Sequence, residues 1–195
     1  MLGNHDLVRF GDLIQRGNLR DYTKRHKAAL SFLAAYSGPI TIYYGEEIGD
    51  EVTGFAKQII QNCASQGLCD DHVARSSAKI EGVTVSELTP EQQEIKQYVT
   101  ELMRLRSQHP ALYSGKRRNL WLDDNIYADL KVYGDEQILY VMNTSTSDQT
   151  LSLDVSHFKP THALRDLIDD ELLTVTEGSA QVGVPALSGR FLAVE

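Results

Sequence analysis

The apolar pattern changes its period at His109-Pro110, and that break limits the chain to two kinds of structure in series. Ahead of it, Ala28, Ala29, Phe32, Leu33 and Tyr36 recur at spacings of three and four, as do Ile95, Tyr98, Val99, Leu102 and Leu105. That recurrence puts a stripe on one side of a helix, predicting helices over 22–36 and from Thr89 to His109. The second carries its own start signal, with Thr89 as N-cap, Pro90 at the first helical position and Gln92 completing a capping box. Behind the break the pattern alternates. Residues 126–133, a Gly134-Asp135 turn and residues 137–143 predict a hairpin. Further strands are expected over 150–155, 172–176, 180–184 and 190–194, which together read as an antiparallel sandwich. The expected division is residues 1–110 and 111–195, and 195 residues with 42% hydrophobic content suffice for one large or two small cores.

Between the two helices, Gly38-Pro39 ends the first, and Ile40-Thr41-Ile42-Tyr43-Tyr44 reads as a short strand buried on both faces, as in a parallel sheet. Residues 45–88 then run without a sustained period. A stretch that long inside a compact domain is usually functional, so it is expected to lie over a site or an interface. Its two cysteines, Cys63 and Cys69, lack the further ligands that a zinc site needs and read as a loop disulfide, with two free thiols as the alternative. A disulfide would place the parent protein in an oxidising, exported compartment. Asp70-Asp71-His72 lacks the oxygen-rich pattern of a hard-metal loop and reads as polar surface.

The net charge of −8 excludes a general nucleic-acid partner, because phosphate binding needs a concentrated excess of Lys and Arg. Lys116-Arg117-Arg118 is too short to reverse that and reads as a solvated turn. No apolar run approaches the roughly 20 residues that span a bilayer, so no membrane partner is expected. The first residues carry neither a basic nor an apolar signal region.

Four segments, in order, carry a family resemblance. Leu2-Gly3-Asn4-His5-Asp6-Leu7-Val8-Arg9-Phe10 resembles the Asn-His-Asp motif that ends the seventh barrel strand of the α-amylase family. Gly38-Pro39-Ile40-Thr41-Ile42-Tyr43-Tyr44-Gly45-Glu46-Glu47 is similar to the family's eighth-strand segment. Leu102 to Leu112 resembles the last barrel helix and its exit, and Asp166 to Glu171 a turn of the C-terminal β domain. The fold implied is α+β: the last βα elements of a (β/α)8 TIM barrel, followed by an antiparallel Greek-key β-sandwich. The activity implied for the parent is retaining hydrolysis of α-glucosidic bonds in starch or maltooligosaccharides. A transglycosylase parent would use the same residues.

That resemblance assigns roles residue by residue. Side chains at the C-terminal ends of barrel strands converge on one mouth. Asp6 is expected to stabilise the transition state by gripping sugar hydroxyls beside the scissile bond, with His5, Asn4 and Arg9 as substrate-binding residues. Arg9 could pair with Asp6 or Asp12, or form a surface ion pair. Read without the resemblance, Asn4 or Asp6 caps backbone donors in a strand-to-helix turn. Glu46 and Glu47 line the mouth or sit as solvated loop carboxylates.

A retaining glycosidase needs a nucleophile and a general acid, two carboxyls about 5 to 5.5 Å apart. The family carries both on earlier strands, so this chain is expected to be inactive alone. No cofactor is expected in this segment, although the parent is expected to bind calcium through earlier parts of the barrel. The expected ligand is an α-glucan or maltooligosaccharide, and exposed barrel surfaces predict a homo-oligomer. The competing function is a non-catalytic carbohydrate-binding or interaction module, with Trp121, Tyr127, Tyr133 and Tyr140 as a sugar-stacking face or as ordinary strand packing.

Overall fold

In the computed structural model, which describes residues 2–52, 73–75, 87–159 and 161–195, helix α1 (Phe10–Arg16) begins directly after the Asn4-His5-Asp6 segment. At seven residues it is too short to establish a period, which is why the apolar pattern does not announce it. Helix α2 (Tyr22–Ala35) occupies the predicted span. Its buried side, however, is formed by His26, Ala28, Leu30, Leu33, Ala34 and Ala35, while Phe32 and Tyr36 are exposed. Helix α3 (Pro90–Gln108) starts as written: the Thr89 hydroxyl accepts from the Gln92 amide at 3.2 Å, and the Gln92 side-chain oxygen accepts from the Thr89 amide at 3.1 Å. A short helix, α4 (Pro110–Ser114), follows with Pro at its first turn.

Ile40–Tyr44 forms no strand, contrary to the sequence reading. A strand needs a ladder partner for its backbone groups, and none runs beside these residues among those described. They are half-buried or exposed, and the segment turns at Gly45 into a 3₁₀ turn over Glu46–Ile48. Gly45 sits at φ 93°, which a side chain tolerates poorly.

The chain divides into two compact units, Met1–Leu30 with Ile40–Thr100, and Ser31–Pro39 with Glu101–Glu195. In the first, Val8 and Val73 pack together with Val52 against them. Lys27 bridges to Glu94 at 2.6 Å and lies over the Tyr98 ring.

The second unit is built on β-strands: β1 (Lys116–Leu122), β2 (Ile126–Tyr133), β3 (Glu136–Asn143), β4 (Gln149–Asp154), β5 (Ala163–Asp166), β6 (Leu172–Thr174), β7 (Ser179–Val184) and β8 (Ser188–Val194). A six-stranded antiparallel sheet runs β1-β2-β3-β8-β5-β6, and β4 pairs with β7 in a second. One apolar cluster, including Leu130, Val141, Leu151, Val182 and Leu192, lies between the two. The predicted hairpin is β2–β3, in register from Ile126↔Asn143 to Tyr133↔Glu136. Lys116-Arg117-Arg118 lies in strand β1, not in a turn. Being exposed on the sheet edge, these cations blunt it against further pairing.

Arg106 closes the end of α2 from α3. Its guanidinium donates to the carbonyls of Ala34 at 2.6 Å and Tyr36 at 2.7 Å, and also to those of Gly38 and Leu112. It thereby satisfies the carbonyls that a helix end leaves open, where a cation is also favoured. In the same unit Asp166, at the end of β5, accepts from the Ile168 and Asp169 amides and from Arg190 at 2.7 Å. Arg190 also pairs with Glu171.

Candidate sugar-binding corner

The segment ahead of α1 folds back on itself through Asn4. Its side-chain oxygen accepts from the Asp6 amide at 2.7 Å and the Leu7 amide at 2.9 Å, so Asn4 takes the backbone-capping part. The turn leaves His5 and Asp6 pointing outward. The His5 Nε2 lies 3.1 Å from Asp6 Oδ2, with side chains 69% and 59% exposed, so both are open to a ligand. Arg75 reaches the same place from a distant part of the sequence. Its Nε donates to the His5 carbonyl and its Nη2 to Asp6 Oδ1, each at 3.1 Å.

Beneath this exposed pair the residues are closely packed. Arg9 is fully buried, donates from Nε to the Tyr44 carbonyl at 3.0 Å, and sits 4.7 Å from the Tyr44 ring centroid and 5.8 Å from that of Tyr43. Its surroundings are protein on every side, so it is not a surface ion pair. The Tyr43 and Tyr44 rings meet at a tilt with centroids 4.4 Å apart, and both hydroxyls donate to the Ala74 carbonyl, at 3.1 and 3.3 Å.

Glu46 is also buried, not a solvated loop carboxylate. It is 1% exposed, and its Oε1 accepts from the Phe10 amide at 3.0 Å, the first turn of α1. A Cβ on Gly3 would meet that same oxygen at 2.5 Å, so only glycine lets the chain pass. Among the described residues, Glu46 Oε2 finds no hydrogen-bond partner. Burial pushes the carboxyl up to about 7 against the pull of the Phe10 amide and Arg9. Asp12, buried alongside, is raised by the same cause, although its Oδ1 accepts from Val52. His26 packs its ring against Phe10 and Tyr22, and burial lowers it to about 4, leaving it neutral.

The structure therefore brings Asn4, His5 and Asp6 together at the surface and places Arg9 below them. Arg75 and the buried state of Glu46 escape the sequence reading. The only hint was the long stretch 45–88, expected to cover a site. Cys63, Cys69 and Asp70-Asp71-His72 lie outside the described residues. Among the described residues no three His, Cys, Asp or Glu side chains gather to hold a metal ion. Among them, too, no helix is long and apolar enough to cross a membrane.

No protein-family model matches the chain. Solved structures do. The crystal structure of AmyP in complex with maltose is 49% identical, superposes with a TM-score of 0.92, and covers the whole of this chain with 40% of its own. A second AmyP structure, in complex with maltotriose, matches equally well. In sequence and fold this chain is similar to part of these α-amylase-type proteins. A curated relative, the beta/alpha-amylase of Paenibacillus polymyxa, is 26% identical over 184 residues, which are 93% of this chain and 13% of the relative. The Anoxybacillus α-amylase, at 23% identity and a TM-score of 0.78, shares the fold. The chain thus spans less than half the length of these relatives, and its described residues close no barrel.

Proposed function

We propose that this chain is the C-terminal part of an α-amylase-like glycoside hydrolase that cleaves α-glucosidic bonds with retention, and that Asn4, His5 and Asp6 form one corner of its sugar site. The observation that carries the reading is the exposed His5–Asp6 pair, held outward by the Asn4 turn and clasped by Arg75. A carboxylate and an imidazole side by side accept from and donate to vicinal sugar hydroxyls, and a charge-assisted bond that strengthens as the ring flattens lowers the barrier. The bound maltose and maltotriose of the AmyP structures support an α-glucan ligand. Asp6 serves as transition-state stabiliser, His5 as its partner on the same sugar, and Asn4 and Arg9 hold the loop. The barrel portion is assigned to residues 1–110 and the β-sandwich to 111–195.

Calorimetry with maltotriose on the intact chain tests the site: Asp6→Asn should weaken binding, and an unchanged affinity removes Asp6 from it. The 195-residue chain alone should hydrolyse no starch. Measurable reducing-sugar release by the pure chain would overturn that. Exposed Leu7, Leu13 and Leu19 in the first unit support self-association, and light scattering showing a clean monomer would oppose it.

One observation favours a second reading, a carbohydrate-binding module on the β domain. Trp121 is 43% exposed, and its Nε1 donates to Asp123 at 2.8 Å, fixing the indole as a platform for a sugar ring. Loss of maltooligosaccharide binding on replacing Trp121 but not Asp6 would select it.

A further inference from the structure

The contacts that Arg75 makes go beyond those of a lone surface cation. Its planar fork spans two acceptors of different kinds, the carbonyl of His5 and the carboxylate of Asp6, each at 3.1 Å. Two prongs on adjacent residues fix the carboxylate relative to the peptide that carries it, which a single point charge cannot do. The arginine is itself held in place through the preceding residue, since the Ala74 carbonyl accepts from both Tyr43 and Tyr44. Those two rings rest on buried Arg9. A continuous path of contacts therefore runs from the buried base to the exposed acid.

We propose that Arg75 is a positioning residue for sugar binding: with His5 it holds the Asp6 carboxylate in the one orientation that accepts vicinal hydroxyls of an α-glucan. This rests on the sugar-site reading above. Arg75 engages Oδ1 and His5 lies against Oδ2, yet each carboxylate oxygen can accept more than one hydrogen bond, so both remain available to a ligand. The preferred ligand is a neutral polyhydroxyl with adjacent hydroxyls.

The test is a titration of the isotope-labelled chain with maltotriose, followed by amide shifts, for wild type, Asp6→Asn, Arg75→Ala, Arg75→Lys and the Asp6→Asn/Arg75→Ala pair. Arg75 is more than half exposed, so its replacement leaves the core untouched, and the unliganded spectra check this directly. Asp6→Asn should weaken binding about tenfold or more, as expected for a lost charge-assisted bond. Arg75→Ala and Arg75→Lys should each weaken it about threefold to fivefold, the range of an exposed pair. The double variant should bind no more weakly than Asp6→Asn alone, because Arg75 acts through Asp6.

Full affinity in Arg75→Lys would show that charge suffices and overturn the positioning role, and additive losses in the double variant would overturn it as well. If Asp6→Asn weakens binding and Arg75→Ala does not, the site stands and Arg75 has no part in it. If wild type shows no maltotriose shifts, or Asp6→Asn binds as wild type does, the sugar-site reading fails and takes this inference with it.

Discussion

Replacing Glu46 with Gln should change how stability depends on pH, because two buried groups in the first unit oppose each other over the same interval. Glu46 is raised from its ordinary 4.5 to about 7 by burial. Its unfolded form releases the proton first, so the stability it contributes is complete below 4.5 and is lost as pH rises through about 7. His26 is lowered from 6.5 to about 4, again by burial. Its contribution is complete above 6.5 and is lost as pH falls towards 4. Each pH unit of separation corresponds to about 1.4 kcal/mol, so each group carries about 3 kcal/mol, with opposite slopes.

Between pH 4.5 and 6.5 the two cancel in the wild type. In Glu46→Gln the Glu46 slope is removed, so stability should climb with pH more steeply than in the wild type, by up to about 1.4 kcal/mol per unit. The variant should match the wild type near pH 4.5 and exceed it by about 3 kcal/mol above pH 7. Asp12, raised by its own burial, contributes the same sign in both proteins and drops out of the difference. Urea unfolding followed by far-UV circular dichroism, repeated across this range, measures that difference. Parallel curves for the two proteins would refute the reasoning, since they would mean that Glu46 ionises in the folded state as it does in the unfolded one.

Three further outcomes follow from local geometry. Arg106→Met should cost about 3 kcal/mol in urea unfolding, because the Ala34 and Tyr36 carbonyls lose their donor at the end of α2. Gly3→Ala should cost about 1 to 3 kcal/mol, since the new methyl would stand 2.5 Å from the Glu46 oxygen, and Glu46→Gln, being isosteric, should not relieve it. Thr89→Ala should lower stability by about 1 kcal/mol through the lost cap on α3, with Thr89→Ser close to neutral in the same thermal melt.

What the sequence made legible is what is determined locally. The start of α3 is encoded within four residues, Thr89 to Gln92, and its capping bonds form as written. The β2–β3 hairpin is likewise set by alternation and a glycine at the turn. Errors arose where the outcome depends on distant partners. Ile40–Tyr44 has the composition of a strand, but composition supplies no ladder. Glu46 and Arg9 are residue types that usually face water, and what buries them comes from far along the chain: Phe10 for Glu46 at 36 residues' separation, and Tyr44 for Arg9 at 35. Arg75 is 69 residues from Asp6, and no spacing rule connects them. The exposed pair at residues 5 and 6 was found because its motif is contiguous, whereas the residues that hold it in place are not.

The burial of Glu46 also bears on what the corner can do. A carboxyl held near 7 beneath the exposed His5–Asp6 pair has the proton affinity of a general acid, and on that ground alone it would be a candidate for catalysis. Its position rules this out. At 1% exposure, with one oxygen bonded to the Phe10 amide and lying against Gly3, it has no face to present to a glycosidic oxygen. Asp12 is enclosed in the same way, with one oxygen on the Val52 amide. A double displacement needs two carboxyls reaching the same bond about 5 to 5.5 Å apart. Of Asp6, Asp12 and Glu46, only Asp6 faces solvent. The elevated proton affinity of Glu46 therefore reflects its packing beneath the exposed His5–Asp6 pair and not a carboxyl presented to a ligand.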